Sequence, residues 1–370
     1  MADCERLDIV ELLTPLDLHH DEVVRYAEAG VRGISVQKPM APSLWQCQDM
    51  IDTCRRLGVI LKVYENFLFY PVFLKAKELL DSGIMGDPIC IRVNTLAGKR
   101  AAVPWPRVLV RDAWRADAAS TLASPLLGDD GFHKFSLVRW FMGRDLETIG
   151  AWIDGEPPLG TPVFVRGRFR RLGSERGRYA QIDFSSSPRM TIPFDMWLDE
   201  FVEIVAEGGI MWINQCSAAG DRPLFRGNHM SESPVFPPIA LYRDGRVTTY
   251  LTEVSARERS WSTSFVSSTL HFIEAIKEGR EGLYTGEDGM EVMRYITAAL
   301  ASVGATGARC RGAGHHGRGR GQRGFQRYSG VKTRCSHLQK GGLASDRCCV
   351  QPWSSCEDRG EGVRHGYRGT

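Results

Sequence analysis

From Asp8 onward the chain alternates two patterns. Short apolar runs, "DIVELLTP", "GISVQKP" and "VILKVYENF", end in turn residues, and between them apolar positions recur at helical spacing. "LHHDEVVRYAEAG" predicts a helix stopped at Gly30. "SLWQCQDMIDTCRRLG" sets Leu44, Cys47, Ile51, Cys54 and Leu57 on one face, with Ser43 and Gln46 as a capping box and Gly58 as the stop. "PVFLKAKELLDSG" predicts a third helix, with Pro71 suited to its first position and Gly83 to its end. Strands alternating with helices predict a parallel sheet with helices on its faces, a partial Rossmann-type unit over residues 1–84.

From Pro88 the period shortens. "ICIRVNTL", "TIGAWID", "PVFVRGRFRR", "YAQIDFS", "EFVEIVAEGGIMWIN" and "RVTTYLTEV" read as strands separated by turns such as Asp154-Gly155 and Asp244-Gly245. One helix, "HKFSLVRWFMG", interrupts them and stops at Gly143. Two closing helices follow, "FVSSTLHFIEAIKEGREG" and "TGEDGMEVMRYITAALASV", the second starting at Thr285 and Asp288. The expectation for residues 85–305 is a largely antiparallel, open-faced sheet with closing helices, an α+β unit behind the α/β one. Residues 306–370 have no apolar period and are rich in Gly, Arg and Cys. Such a tail buries too little apolar surface to offset chain entropy and is expected to be disordered. It differs from the body as a reading-frame slip near Ala305 would make it differ.

A length of 370 residues allows two cores. The net charge of +3 divides unevenly, because from Arg309 there are 13 basic and 4 acidic residues, a net +9 that leaves −6 for the body. The overall basicity is therefore a poor reason to assign nucleic acid to the folded part. The start, "MADCERLDIVELL", lacks a basic segment followed by an apolar one, and no apolar run approaches the ~20 residues of a membrane span. A soluble, cytoplasmic protein is the expectation. Of the ten cysteines, Cys4, Cys47, Cys54, Cys90 and Cys216 are scattered through the body without metal-ligand spacing. They are expected to be reduced and buried.

Two stretches carry candidate chemistry. In "GISVQKPMAP", Pro39 pushes Lys38 into extended geometry at the carboxyl end of a strand, the edge where open α/β sheets bind ligands. Shielded there, a lysine can hold or pass a proton; on this stretch alone, the alternative is a solvated lysine in a turn. In "LLGDDGFHKFSLVRWF", Asp129 and His133 stand four apart where a helix begins, so carboxylate and imidazole can converge and the first can orient the second as a general base. The alternative is that Asp129 or Asp130 caps the helix and His133 lies on the surface.

In this order, "TPLDLHHDEV…AEAGVRGISVQKPMA", "ENFLFYP…LLDSGIMGDP", "WRAD…LLGDDGFHKF" and "TGEDGMEVM" resemble the Gfo/Idh/MocA family of NAD(P)-dependent oxidoreductases acting on sugars, cyclitols and related polyols. The likeness runs from about Asp8 to Val303. It implies that Lys38 and His133, with Asp129, form the catalytic group, and that His133 is the acid/base. Thr14, Pro15 and His19 match a turn that lies against the cofactor, NAD or NADP. Gln37 stands where the family has a glutamate that contacts the nicotinamide ribose, and Glu65 and Asn66 fall where a strand reaches the nicotinamide end. Trp114 and Arg115 match a Trp-Arg stretch, with Arg115 placed to touch the substrate. The small-molecule substrate would be a polyol or sugar, and the open sheet implies a homo-oligomer.

Three departures bear on that reading. No Gly-x-Gly-x-x-Gly turn precedes "DIVELLTP". The resemblance therefore implies that about two βα units and a strand lie upstream, roughly 60–80 residues at ~30 per βαβ unit. Ala123-Ser124 replace paired glycines, and the family's usual closing segment is replaced by the tail. A chain lacking its cofactor half would be a non-catalytic ligand-binding remnant. An Arg-Gly tail with Phe325 and Tyr328 interleaved is the feature that would serve a nucleic-acid-binding protein instead.

Overall fold

The structure, a computed structural model, describes residues 7–100, 126–153, 162–171, 174–192, 198–214, 237–255, 257–259 and 261–303. The first sheet has three parallel strands in the order β1 (Ile9–Leu12), β2 (Gly33–Gln37), β3 (Ile60–Tyr64). Helices α1 (His19–Glu28), α2 (Leu44–Leu57) and α3 (Pro71–Asp81) alternate with the strands. On β2 every residue but Gln37 is buried, as expected of a parallel strand covered on both faces. Gly58, with φ of 72°, ends α2 in left-handed geometry, and Pro71 opens α3, both as the sequence predicts. The Ser43 capping box does not form. The Ser43 hydroxyl donates to Gln46 Oε1 at 2.7 Å, and its oxygen accepts no backbone N–H of the helix.

The second sheet has eight strands. They are β4 (Pro88–Arg100), β5 (Leu146–Ile153), β6 (Val163–Arg171), β7 (Ser174–Ile192), β8 (Leu198–Ala206), β9 (Gly209–Ile213), β10 (Ile239–Arg243) and β11 (Arg246–Tyr250). Their order is β11-β10-β9-β8-β4-β7-β6-β5, antiparallel except for the central pair β4 and β7. Register aligns Ala151, Val165, Ile182, Val93, Val202, Ile213 and Ile239 in one row across the sheet, all buried. Trp152, Tyr179 and Tyr242, of opposite parity, lie exposed on the other face. The alternation of strand residues thus leaves one face apolar and covered, the other open.

Between the two sheets runs α4 (Gly131–Met142), preceded by a π turn over Leu126–Asp130. Eleven of its twelve residues are buried, Trp140 being the exception. The helix is buried on all sides, and its buried Lys134 and Arg139 are paired with carboxylates. It packs on β4 and β7 with one side and on the turn Asn66–Phe69 after β3 with another. The closing helices α5 (Trp261–Glu278) and α6 (Gly286–Ser302) return to the first sheet. α5 is tied to it by Lys62 to Ser268, Tyr64 to Phe265 and Asn66 to Ser264. Thr285 and Asp288 form the capping box of α6, and Asp288 also receives Arg139 of α4.

Cys47 and Cys54 are unpaired and buried, and burial pushes both thiols up to about 12, which makes them inert. Cys90 departs from the expectation: it is unpaired but only half-buried, because it points to the open face of the sheet. Among the described residues no helix is long and apolar enough to cross a membrane, and no group of metal-ligating side chains occurs. Cys4, Cys216 and the tail from residue 304 lie outside the described residues.

Candidate active site

β2 ends by delivering Lys38 through a cis Lys38–Pro39 peptide. The Gln37 amide oxygen accepts the Lys38 backbone N–H at 2.8 Å, which holds the turn. The ammonium then reaches across to the second sheet's helix. It donates to Asp129 Oδ1 at 2.5 Å and to the Asp129 carbonyl at 3.1 Å. Both Asp129 acceptors sit on the π turn that leads into α4, so a strand end and a helix start from different units meet here.

His133 lies one turn further along α4. The sequence expectation was that Asp129 orients this imidazole. In the structure the carboxylate on the ring is Glu65, from the end of β3, whose Oε1 accepts from His133 Nδ1 at 2.7 Å. The same oxygen accepts the Phe67 N–H at 3.0 Å and so caps the turn Asn66–Phe69. The Phe67 ring stacks on the imidazole, centroids 4.2 Å apart and planes 17° from parallel. The reason for the changed partner is topological: α4 presses its first turn against the end of β3, while the π turn before it faces β2.

Burial lowers the His133 pKa, the Glu65 carboxylate opposes that, and the charges of Lys38 and Lys134 add to it. For Glu65 burial alone would raise the pKa. The charge and hydrogen bond of His133, the Phe67 N–H and the charge of Lys38 outweigh it and hold the carboxyl below its ordinary value. A neutral imidazole beside an ionised carboxylate therefore donates from Nδ1, and Nε2 keeps its lone pair. Among the described residues Nε2 has no hydrogen-bond partner.

Sequence reasoning missed the neighbours that fix this helix. Lys134, fully buried, pairs with Glu200 of β8 and with Asp130 at 3.2 Å, its ammonium 4.8 Å from the Phe67 ring. Tyr284 donates to Ser136 Oγ at 2.5 Å, since that hydroxyl itself donates to the Phe132 carbonyl. The one legible signal was a lysine inside the apolar run "GFHKFSLVRWF", which demands a buried carboxylate.

The residues expected at the cofactor divide. His19 is buried, with Nε2 2.9 Å from the Thr14 carbonyl and Nδ1 3.1 and 3.2 Å from those of Pro39 and Met40. It joins the turn after β1 to the turn that carries Lys38, with both ring nitrogens engaged. Thr14 donates to Glu22 at 2.5 Å, Pro15 opens the short helical turn Leu16–Leu18, and Asn66 donates to Ser264 at 2.9 Å. Gln37 is half-buried, and its amide nitrogen has no partner among the described residues. A free donor beside Lys38, at the carboxyl edge of a parallel sheet, fits the nicotinamide riboside end of a dinucleotide. No glycine-rich turn between strand and helix is found among the described residues. Trp114, Arg115 and Ala123-Ser124 lie outside them.

Comparison with known proteins gives two family matches. Residues 1–65 match the oxidoreductase family, NAD-binding Rossmann fold, and residues 73–159 match the GFO/IDH/MocA C-terminal domain. The chain is similar to D-apiose dehydrogenase of Rhizobium rhizogenes, 27% identical over 304 residues that cover 80% of this chain and 77% of that protein. It is also similar to 2,7-anhydro-N-acetylneuraminate hydratase of Mediterraneibacter gnavus, 34% identical over 228 residues, 58% of this chain and 54% of that one. In fold it is similar to an oxidoreductase from Agrobacterium radiobacter solved with NAD+, L-tartaric acid and magnesium. That match has a TM-score of 0.60 at 19% identity and covers 82% of this chain and 79% of the other.

Proposed function

The chain belongs to the Gfo/Idh/MocA family of oxidoreductases, and from that premise we propose that it moves a hydride between NAD or NADP and a carbinol carbon of a sugar, cyclitol or related polyol. The observation that carries the reading is the meeting of Lys38 and Glu65, from two strand ends of the first sheet, with Asp129 and His133 at the start of α4. The carbohydrate names of the relatives support the substrate class.

In this reading His133 Nε2 takes the proton of the substrate hydroxyl. Lys38, oriented by Asp129, donates a hydrogen bond to the oxygen on which negative charge develops, an electrostatic stabilisation aimed at the transition state. Gln37 and the turn at Thr14 and Pro15 would hold the nicotinamide end, and a bound nicotinamide supplies the hydride acceptor. The stacked Phe67 and the buried α4 keep bulk water from the imidazole. Arg115, outside the described residues, remains assigned to the substrate. The open face of the second sheet, with Trp152, Tyr179 and Tyr242, is the surface proposed to join like subunits.

The test is a titration of the full chain with NADH and NADPH, followed by quenching of tryptophan fluorescence, then a turnover screen over pentoses, hexoses, cyclitols and polyhydroxy acids. Saturable binding with turnover of at least one CH–OH substrate supports the reading. A flat titration would replace it with a ligand-binding protein that keeps only the substrate sheet.

A further inference from the structure

We propose that Glu65 is the positioning residue of His133: it fixes the ring as the tautomer protonated at Nδ1, so that Nε2 alone handles the substrate proton. The proposal rests on the reading of His133 as the acid/base.

Glu65 is fully buried, and its Oε1 accepts two N–H groups, from His133 Nδ1 and from the Phe67 backbone. The second bond matters as much as the first. It anchors the carboxylate to the turn that follows β3, so the acceptor does not move with the ring it orients. Phe67, on that same turn, also supplies the ring that stacks on the imidazole. One short turn therefore sets both the plane of the imidazole and the direction of its Nδ1–H bond. A half-rotation of the ring would turn a carbon toward Oε1 and leave the buried carboxylate, whose Oε2 has no hydrogen-bond partner among the described residues, with the Phe67 N–H in place of two donors.

The charges around the ring make the carboxylate necessary. Lys38 at the end of β2 and Lys134 on α4 both oppose a positive imidazole, and Glu65 is the negative group in hydrogen-bond contact with it. Asp129, four residues before His133, is engaged by Lys38. Tyr284, whose hydroxyl is pushed well up by burial and then by the Glu65 charge, stays neutral beside the pair. When Nε2 accepts a proton the ring becomes cationic between two ammonium groups, and Glu65 offsets that charge. Each carboxylate thus serves one partner: Asp129 aims the lysine, Glu65 aims the histidine. Without an anchored acceptor at Nδ1, the ring is free to place its proton on Nε2 and present no lone pair to the substrate.

The experiment compares the full chain with its Glu65→Gln and Glu65→Ala variants, labelled with nitrogen-15 in histidine. Long-range proton–nitrogen correlation spectra at neutral pH report the His133 tautomer, and His133→Gln assigns the signals. The wild type should show Nδ1 protonated and Nε2 bare. Glu65→Gln should keep that tautomer, because the Phe67 N–H holds the amide oxygen toward the ring. The charge is lost, so the acid limb of the kcat/KM profile moves to lower pH. Glu65→Ala should lose the tautomer, with kcat falling on the order of 10²–10⁴-fold while KM for the polyol changes far less. An Nε2-protonated ring in the wild type, or an Nδ1-protonated ring unchanged in Glu65→Ala, would overturn the proposal. The spectra need no substrate. A chain that shows the expected tautomers yet turns over no alcohol would count against the dehydrogenase reading alone.

Discussion

Lys62 offers a perturbation whose magnitude can be worked from the structure. It stands on β3 facing α5, buried, with its ammonium donating to the Ser268 carbonyl at 2.8 Å and to Ser268 Oγ at 2.7 Å. The rings of Tyr64, Phe69 and Phe272 surround it at 4.9, 5.3 and 5.3 Å. Burial pushes its pKa down to about 8, with the Glu11 charge opposing. An unfolded lysine titrates near ~10.4, so the fall of roughly 2.5 units corresponds to ~3 kcal/mol at 1.36 kcal/mol per unit. The sign follows from proton counts. Between about pH 8 and pH 10.5 the unfolded chain binds more protons than the folded one, so stability rises with pH there, and below pH 8 the full cost is present. Alkaline titration of other groups, the buried thiols among them, adds its own slope. The comparison is therefore with Lys62→Met, which keeps the volume and removes the charge. Urea unfolding of both proteins at pH 7.5, 9 and 10.5 should show the wild type gaining about 3 kcal/mol relative to the variant across that range. Parallel profiles would refute the reasoning and mean that the three rings and Ser268 fully replace the lost hydration.

Lys38→Met should lower kcat by on the order of 10²–10³-fold through loss of the charge beside the developing alkoxide, with NADH affinity measured by fluorescence changed much less. Lys134→Met leaves Glu200 buried without its ammonium and should cost ~3–5 kcal/mol by chemical denaturation. Adding Glu200→Leu should recover most of that, as removal of a whole buried pair usually does. Gly289→Ala would place a Cβ 2.4 Å from Val63 Cγ2 and 3.3 Å from Met40 Sδ, lifting α6 off β3. Thermal unfolding should register a loss of ~1–3 kcal/mol.

Local rules reached far along this chain. The end of each of the first three helices was legible from a glycine in left-handed geometry, Gly30, Gly58 and Gly83, because that signal needs no partner. Lys38 was legible for the same reason, through the proline that follows it. The carboxylate on His133 was not. Asp129 is near in sequence and Glu65 is 68 residues away, and only the packing of α4 against the end of β3 decides between them. Lys134 with Glu200, and the return of α5 and α6 to the first sheet through Lys62, Tyr64 and Asn66, are likewise contacts between distant segments that periodicity does not encode. Ser43 failed as a capping box where Thr285 succeeded: Thr285 Oγ1 accepts the Asp288 N–H, whereas the Ser43 hydroxyl is bonded to the Gln46 side chain and accepts no backbone N–H. For the cofactor edge, the family resemblance pointed to His19 and Asn66, while the structure finds their side chains bonded to carbonyls and to Ser264.

The account turns on a proton leaving a substrate alcohol for His133 while Lys38 steadies the oxygen. The direct measurement is the rate of reduced nicotinamide formation by the full chain and by His133→Ala, each with its NADH affinity determined in parallel, on a substrate the wild type turns over. The account predicts a loss of at least about 10²-fold in kcat with cofactor affinity retained. A His133→Ala enzyme as fast as the wild type would contradict it.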